Sequence, residues 1–416
     1  MSKIIYLDNN GNYPALNCVK AEITQWLSYY SNPSTNNKLT KSVQKRIADA
    51  KKVVEKFSGS SQFECIFTSG ASESNSIIIL SHVLTWRTKS KKSRTLPHFV
   101  SSSIEHKSIL LLLERLKLAK LLDFTLVQPN SLGQIERKKL HSAIKKNTVF
   151  ITCMAANNEL GAINNIPTLF KGIRKSIFRH TDMVQLFGKY RLNLNKYNID
   201  GASLSLHKFG GPMGFGLLFI RKTIFPKLVG PIGGTQQGGF RGGTENIPYI
   251  SCLTKLLPII QKRINSKNKH SIRNRMIKFI RGHYTTHNFC DLTGKGMNSN
   301  QDKKKIDQPD IVLFNSPRTK DQLYNTLYLA IRTKDMCNMK VRDYLGKHKN
   351  IFIGIGSACN TSNKKASHVL SSLNVPKSIK KGILRISFDI HDKYFERNCE
   401  KIMKTIIDTS INFKSN

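Results

Sequence analysis

The residue with the clearest chemical setting in this sequence is a lysine. Lys208 lies in the segment SLSLHKFGGPMGFGLLFIRK, where a run of small residues leads into His207 and Lys208 and then into a glycine-rich turn. Close-packed glycines shield such an amine from water, which lowers its pKa and makes it available as a nucleophile toward a carbonyl group. Lysines are abundant in this chain, however, so the position taken alone also fits a surface cation.

A second segment contains a candidate phosphate site. The residues FTSGASESN form a strand end, then the turn from Ser69 to Ser72, and then a helix. Backbone N–H groups at the start of a helix, together with the Ser72 hydroxyl, form an arrangement that binds phosphate. Many strand-to-helix turns look similar and bind nothing, so this segment becomes informative only beside Lys208.

These segments are part of a longer series that resembles a known family. The series is YLDNN, NPS, FTSGASESN, SIEHKS, NNELG, SLHKFGGPMG, GGFRGGTEN, GSACN and LRISF, in this order. It is similar to the NifS/IscS-type cysteine desulfurases, which are class-V aminotransferases of PLP fold type I, and it covers nearly the whole chain. The resemblance implies an α/β fold with a mainly parallel seven-stranded sheet and a smaller α+β domain. It also implies an enzyme that uses pyridoxal 5′-phosphate (PLP) to convert L-cysteine to L-alanine.

The resemblance implies a role for each residue that matches a family motif. Lys208 is the lysine that holds PLP, and His106 stacks on the pyridine ring and carries protons. Asp182 pairs with the ring nitrogen, and Gln185 donates to the ring oxygen. The other implied cofactor contacts are Ala71, Ser72, Asn158, Ser205, His207 and Thr244, and the implied substrate contacts are Asn158 and Arg385.

Two of these matches have further implications. Thr244, in FRGGTEN, matches a threonine that reaches the phosphate of the other subunit's cofactor, so the resemblance implies a symmetric homodimer. Arg385, in LRISF, matches the arginine that binds the substrate carboxylate, and a planar two-pronged donor suits that task.

Cys359 has the GSAC setting of the cysteine that receives sulfur in this family. Such a cysteine attacks the substrate sulfur as a thiolate and then carries it as a persulfide, so we expect it on a mobile loop. The stretch between GSAC and HVL matches the longer loop of the IscS-like branch. The resemblance leaves the next acceptor open between an iron–sulfur scaffold protein, which would place the enzyme in iron–sulfur cluster assembly, and a tRNA thiolation factor.

The sequence departs from the family pattern beside the predicted substrate site. Family members read LDNxATT where this chain has LDNNGNYP, from Leu7 to Pro14, and a glycine is usual where Asp389 stands. All residues with a direct chemical role are retained, which predicts an active enzyme. Two alternatives stay open: a related PLP lyase that acts on selenocysteine, and a basic NifS-like protein of low activity with a nucleic-acid-binding or particle role.

The elements that would position these residues alternate from residue 63 to about 220. FECIFTSG, HFVSSS, DFTLVQP and VFITCMAAN are predicted strands, and a helical pattern follows each of them, as in a parallel sheet covered on both faces. Ligands of such sheets bind where the strands end. A long helical stretch from Ile250 to Tyr284 leads into a second run of elements. We therefore predict a large PLP-binding domain at 15–262, and a small domain with the Cys359 loop at 1–14 and 263–416.

Composition limits the class of protein. The 416 residues are enough for two domains, and no apolar stretch is long enough to cross a bilayer. Eight scattered cysteines without metal-binding spacing predict no metal site and a cytoplasmic location, with an organelle or a viral particle as alternatives. The 67 Lys and Arg against 26 Asp and Glu give a net charge of +41, which attracts polyanions. Contact with RNA or DNA therefore stays open beside a generally basic surface.

Overall fold

The structure is a computed structural model that describes residues 3–35, 37–89, 95–293, 309–315, 318–333, 336–356 and 367–413. Its strands are β1 (Ile5–Leu7), β2 (Phe63–Thr68), β3 (His98–Ser102), β4 (Asp123–Val127), β5 (Thr148–Thr152), β6 (Phe178–Asp182), β7 (Gly201–Ser205), β8 (Gly216–Arg221), β9 (Thr286–Asn288), β10 (Asp310–Leu313), β11 (Thr326–Arg332), β12 (Ile351–Ile353) and β13 (Ile383–Ser387). Its helices are α1 (Asn17–Trp26), α2 (Lys38–Ser58), α3 (Ala71–Lys89), α4 (Lys107–Leu118), α5 (Arg137–Ser142), α6 (Ile166–Leu169), α7 (Ile247–Ile264), α8 (Ser271–His283), α9 (Phe289–Thr293), α10 (Asn338–Lys349), α11 (His368–Ser372), α12 (Lys377–Lys380) and α13 (Lys393–Ile411).

The large sheet has seven strands in the order β2-β8-β7-β6-β5-β3-β4. Strand β8 runs antiparallel to both of its neighbours, and all the other pairs are parallel. Every residue of β3 and β7 is buried, as expected for parallel strands that are covered on both faces. The predicted mainly parallel seven-stranded sheet is therefore confirmed.

Alternating strand residues face two different cores. Phe99 and Phe150 pack with the apolar residues of α3 and α4, whereas the next residues, Val100 and Ile151, belong to the core that includes α2 and α7. This alternation follows from the two-residue period of a strand. Among the described residues, no helix combines the length and the apolar character that crossing a membrane requires.

A smaller sheet has the order β13-β11-β10-β9, and β1 pairs separately with β12. Its core contains apolar residues of α8, α10 and α13, such as Met276, Leu345 and Ile406. Isolated bridges join Asp8 to Ser387 and Gly354 to Arg385. These bridges bring the loop after β1 to the side of β13, although the two segments lie at opposite ends of the chain.

Two helical expectations need correction. The pattern IPTLFKGIRKS predicts a helix through residue 176, but α6 ends at Leu169 and Gly172 adopts a left-handed conformation (φ 81°). The stretch from Ile250 to Tyr284 is two helices, because Asn268 turns the chain with φ 59° between α7 and α8. The predicted domain boundary at residues 262 and 263 falls in the last turn of α7, and it stays a prediction.

Candidate active site

A cavity of about 270 Å³ lies where the large sheet ends, and β13 contributes to its lining. Asp182 is the last residue of β6 and Ser205 is the last residue of β7. Lys208 ends the single helical turn after β7, and Ala71 begins α3 directly after the β2 turn. The topology brings these residues together because the carboxyl ends of parallel strands meet at one edge of the sheet.

Lys208 is held by the loop that follows β1. Its Nζ donates to the carbonyl oxygens of Asn10, at 3.1 Å, and Gly11, at 2.5 Å. The same loop is tied to the lysine segment by the backbone N–H of Tyr13, which donates to the carbonyl of His207 at 2.9 Å. The amine is thus fixed by carbonyl groups that come from a distant part of the sequence.

Asp182 presents a buried carboxylate to the cavity, with only 4% of its surface exposed. One carboxylate oxygen accepts from Asn75 Nδ2 at 3.1 Å, and the other accepts from the backbone N–H of Val184 at 3.0 Å. Because both oxygens are held, the carboxylate has a fixed orientation. A fixed carboxylate at this depth suits a protonated ring nitrogen, since charge-assisted hydrogen bonds are strong away from water.

Gln185 and Asn10 form a hydrogen-bonded cluster with a second lysine. Gln185 Nε2 donates to the carbonyl of Asn10 at 3.0 Å. Lys189 Nζ donates to Gln185 Oε1 at 2.9 Å and to Asn10 Oδ1 at 3.1 Å. Lys189 is 5% exposed, and burial lowers its pKa to about 7, with the charges of Lys208 and Arg385 acting in the same direction.

Hydrogen-bond donors converge at the start of α3. The backbone N–H of Ala71 donates to Ser205 Oγ at 2.7 Å. A Cβ atom on Gly216 would lie 2.5 Å from the Cα of Gly70, so glycine at this position allows the α3 turn to approach the sheet. His207 Nδ1 is buried and has no hydrogen-bond partner within the described residues. Burial, together with the charge of Lys208, lowers the pKa of His207 to about 4, so this ring is neutral at pH 7.

His106 is the N-cap of α4, and its ring opens onto the cavity. Its Nδ1 accepts from the backbone N–H of Ser108 at 3.2 Å, which places the proton of the neutral ring on Nε2. Removal of water by the surrounding protein lowers the pKa of His106, although the charge of Asp182 acts in the opposite direction. The neighbouring Glu105 is fully buried, and burial raises the pKa of its carboxyl group to about 8.

Arg385 lies on the opposite side of the cavity, on β13. Its Nη2 donates to Asp8 Oδ1 at 2.6 Å, and its Nη1 donates to the carbonyl of Asn158 at 3.0 Å. A Cβ atom on Gly354 would lie 2.7 Å from Asp8 Oδ1 and 2.8 Å from Arg385 Nε, so this ion pair needs a glycine beside it. The guanidinium is oriented by these contacts and lines the cavity, where it can bind a carboxylate.

Comparison with known proteins identifies the family. The family model Aminotransferase class-V matches residues 5–302. The chain belongs to the class-V aminotransferases. Among curated relatives of this class-V aminotransferase, the cysteine desulfurase IscS of Methanosarcina thermophila is 31% identical over 392 residues, which cover 93% of this chain and 87% of that protein. A selenocysteine lyase of Bos taurus is 26% identical over 416 aligned positions, which cover 93% and 89% of the two chains.

Solved structures share the fold of this class-V aminotransferase. A NifS-like protein superimposes with a TM-score of 0.78 at 24% identity, covering 98% of this chain and 99% of the other. A structure described as SspA in complex with cysteine gives a TM-score of 0.73 at 26% identity, with 92% and 98% coverage. The predicted fold class is therefore confirmed by structure as well as by sequence.

The cavity of this class-V aminotransferase contains nearly all the described residues that the motifs single out. They are Ala71, Ser72, His106, Asn158, Asp182, Gln185, Ser205, His207, Lys208 and Arg385. Thr244 does not line this cavity and is exposed in the loop before α7. Cys359 lies outside the described residues. The cavity brings the ten residues together, and the individual role of each one stays a prediction.

Sequence reasoning missed several residues that support the site. The carbonyls of Asn10 and Gly11 could not be identified as lysine acceptors, because backbone groups leave no trace in residue types. Lys189 carried a usable signal: it stands four residues after Gln185, a spacing that places two side chains side by side in a helical turn. Asp8 lies in the motif YLDNN and Glu105 in the motif SIEHKS, but the sequence predicts no role for either residue.

The residues of the cavity fit the cofactor that class-V aminotransferases use, PLP. The start of α3, the Ser205 hydroxyl and the His207 Nδ1, which has no hydrogen-bond partner among the described residues, fit a phosphate group. Asp182 offers a buried carboxylate for the ring nitrogen, and Lys208 offers the amine that binds the aldehyde. These three parts of one cavity match the phosphate, the ring nitrogen and the aldehyde of PLP.

Proposed function

We propose that this protein is a PLP-dependent cysteine desulfurase that converts L-cysteine to L-alanine and transfers the sulfur to Cys359 as a persulfide. The observation that carries the proposal is one cavity that contains the Lys208 amine, the Asp182 carboxylate and the Arg385 guanidinium. The 31% identity to a cysteine desulfurase over most of the chain supports the same activity. The match to a structure in complex with cysteine supports the choice of substrate.

Lys208 moves protons in the proposed reaction. When PLP is bound, it supplies an electron sink for bond cleavage at the substrate carbon. Lys208 Nζ is held by the Asn10 and Gly11 carbonyls, and its amine would accept the proton from the substrate Cα. The buried Asp182 carboxylate would hold the ring nitrogen of the cofactor and favour a positive charge there.

Arg385 binds the substrate carboxylate in the proposed reaction. Its guanidinium is paired with Asp8 at 2.6 Å. Each terminal nitrogen of the guanidinium has a second N–H, so a carboxylate can be bound while the contacts to Asp8 and Asn158 persist. Asp8 therefore orients the arginine without competing with the substrate.

Cys359 takes the sulfur as follows. Its thiolate attacks the substrate sulfur, an S–S bond forms, and the C–S bond breaks with its electron pair left on the substrate carbon, which takes a proton to give alanine. Ser367, which follows this segment, donates to Glu159 Oε2 at 2.7 Å, and Glu159 lines the cavity. This contact supports the assignment, because Ser367 is the first described residue after Cys359 and it contacts a residue of the cavity lining.

Further parts of the proposal concern assembly and delivery. We propose a symmetric homodimer in which Thr244 of each subunit faces the cofactor of the other, and the exposed position of Thr244 supports this arrangement. The persulfide would pass to an acceptor protein, such as an iron–sulfur scaffold or a thiolation factor. The net charge of +41 suits an acidic acceptor.

A second candidate function is selenocysteine lyase activity. The match to the bovine selenocysteine lyase favours it, at 26% identity over 93% of this chain. The two functions differ in the substrate atom that leaves the carbon. A ratio of kcat/KM for L-cysteine over L-selenocysteine above one supports the desulfurase, and a ratio far below one supports the lyase.

The test is cysteine turnover by purified protein reconstituted with PLP. Alanine and sulfide should form in equal amounts in the presence of a reducing thiol. Lys208→Ala should lose both turnover and the absorbance of the lysine-bound cofactor, whereas Cys359→Ala should keep that absorbance and lose persulfide formation. Cys337→Ala is the matched control, because Cys337 is a partly buried cysteine at the start of α10, away from the cavity lining. A protein that takes up no PLP and binds RNA with a steep salt dependence would contradict the proposal and support a binding role.

A further inference from the structure

Lys189 is a buried amine that the proposed reaction does not use. It is 5% exposed, and its Nζ contacts two uncharged side-chain oxygens, those of Gln185 and Asn10. Among the ion pairs of the described residues, none includes Lys189, and the nearby charged groups that affect it are the cations Lys208 and Arg385. Burying an amine near other cations is unfavourable, so we expect Lys189 to have a function in this site.

Both contacts of Lys189 end on carboxamide groups. A carboxamide has a donor end and an acceptor end of nearly the same shape, so its orientation is set by its neighbours. An ammonium group only donates, and even a neutral lysine amine has two N–H donors for its two contacts. Protonated Lys189 therefore requires that the oxygen atoms of both carboxamides face it.

The orientation matters because the amide nitrogens of both carboxamides donate to backbone carbonyls of residues that line the cavity. Gln185 Nε2 donates one hydrogen to the carbonyl of Asn10, at 3.0 Å, and has a second one. Asn10 Nδ2 donates to Thr326 Oγ1 at 2.8 Å and to the backbone carbonyl of Asn158 at 3.3 Å. The backbone carbonyl of Asn10 accepts from Lys208 Nζ. With the Gln185 amide reversed, an oxygen would oppose the carbonyl of Asn10 and the cavity would lose a donor.

We propose that Lys189 is a positioning residue that fixes the donor and acceptor ends of Gln185 and Asn10, and so presents an N–H of Gln185 to the ring oxygen of the bound cofactor. This inference rests on the proposed function, because it requires PLP in the cavity. It deepens that function by adding a residue that contacts neither cofactor nor substrate.

The first test measures cofactor binding by Lys189→Met. Methionine keeps the length of the side chain and removes its donors, so the buried oxygen of Gln185 loses its partner. We expect the Kd for PLP to rise by about tenfold, which is the usual cost of one unsatisfied buried polar group, and the absorption maximum of the bound cofactor to shift. The control is Lys269→Met, since Lys269 donates to the backbone carbonyls of Ile264 and, at 3.5 Å, of Lys189, and to neither carboxamide. The Kd of the Lys269→Met protein for PLP should stay within twofold of the wild-type value, and its absorption maximum should not shift.

The second test asks whether Lys189 acts through Gln185. In the double variant Lys189→Met with Gln185→Met, the loss of PLP affinity should equal that of Gln185→Met alone. Losses that multiply would overturn the inference, as would a Lys189→Met protein whose Kd and spectrum match the wild type.

A third variant tests the donor role of Gln185, on which the inference depends, even if Lys189→Met does not fold. Gln185→Glu keeps the shape and allows an ion pair with Lys189, but it offers no donor to the ring oxygen, so the spectrum should shift as in Lys189→Met. An unshifted spectrum would overturn the inference. A wild-type protein that binds no PLP would instead contradict the proposed function, so the two failures are distinguishable.

Discussion

Two sides of the cavity are built in different ways. One side, which we call the strand-end wall, contains Asp182, Ser205 and Lys208 and follows the carboxyl edge of the large sheet. The other side, the loop wall, contains residues 8–13 together with the segment from Arg385 to Asp389. Its contacts join residues more than 370 positions apart, such as Asp8 with Arg385 and Asn10 with Ser387. The strand-end wall is fixed by local sequence, whereas the loop wall exists only after the chain ends meet.

Two departures from the family pattern lie in the loop wall. Tyr13 and Asp389 are both unusual at their positions, and the structure shows that they contact one another, with the Tyr13 hydroxyl donating to the Asp389 carboxylate. Arg263 Nη1 donates to the same hydroxyl at 2.7 Å and lies 3.8 Å from the carboxylate. Two changes that look independent in the sequence therefore form one cluster. The strand-end wall, in contrast, retains the family residues Asp182, Ser205 and Lys208.

The largest effect should come from the strand-end wall. Asp182→Asn keeps the shape of the side chain but removes its charge, so the ring nitrogen loses its stabilising partner. We expect kcat for cysteine to fall by about a hundredfold to a thousandfold, the usual range for one buried electrostatic group. Stopped-flow or steady-state assays at saturating PLP measure this. Asp123→Asn, on the surface of the same sheet, should stay near wild type, and a fall of less than tenfold in Asp182→Asn would contradict the comparison.

Lys189 lies behind both walls, and its burial predicts a pH-dependent stability. Its pKa is lowered to about 7 in the folded protein from 10.5, so between these values the unfolded chain holds a proton that the folded chain has released. The free energy of unfolding of the wild type should therefore rise with pH in this range, by about 1.4 kcal/mol per pH unit, and Lys189→Met should lack this rise. Below pH 7 the variant should be the more stable protein.

Denaturant unfolding at pH 7 and pH 9.5 measures this difference. The advantage of Lys189→Met over the wild type should shrink by about 3 kcal/mol between the two values. The exposed Lys196, replaced by methionine, is the control and should show a constant difference. A constant difference in Lys189→Met as well would show that the amine keeps its proton.

Arg385→Lys tests the loop wall directly. Lysine keeps the charge but replaces a planar fork by a single ammonium, so it cannot hold Asp8, the Asn158 carbonyl and a substrate carboxylate in one plane. We expect KM for cysteine to rise by about tenfold to a hundredfold with a smaller change in kcat. Arg275→Lys, in an exposed ion pair with Glu400, should leave KM unchanged. A fall in kcat at constant KM would mean that Arg385 acts on the reaction step instead.

The contrast between the walls also explains what sequence could predict. Asp182, Ser205 and Lys208 were predicted from the resemblance to family motifs. The parallel topology explains where they meet, because Asp182 and Ser205 end strands and Lys208 follows one. The loop wall was predicted only in part: Arg385 was identified, but Asp8, Asn10 and Gly11 contribute through a distant ion pair and backbone carbonyls, which residue types do not reveal. Helix ends also escaped prediction where one residue adopts a left-handed conformation, as at Gly172.

The smallest effect should come from the Tyr13 and Asp389 pair, which joins the two segments of the loop wall. Burial and the Asp389 charge raise the pKa of Tyr13, so its hydroxyl keeps its proton and acts as a donor. Tyr13→Phe and Asp389→Asn should each raise KM for cysteine a few-fold. In a double-mutant cycle the two changes should be coupled by about 1 kcal/mol, because each removes the same contact. Tyr29→Phe, at a partly exposed tyrosine of the α1 end, should leave KM unchanged. Additive effects of Tyr13→Phe and Asp389→Asn would mean that the two departures are independent. The contact between Tyr13 and Asp389 would then not explain why both occur in this chain.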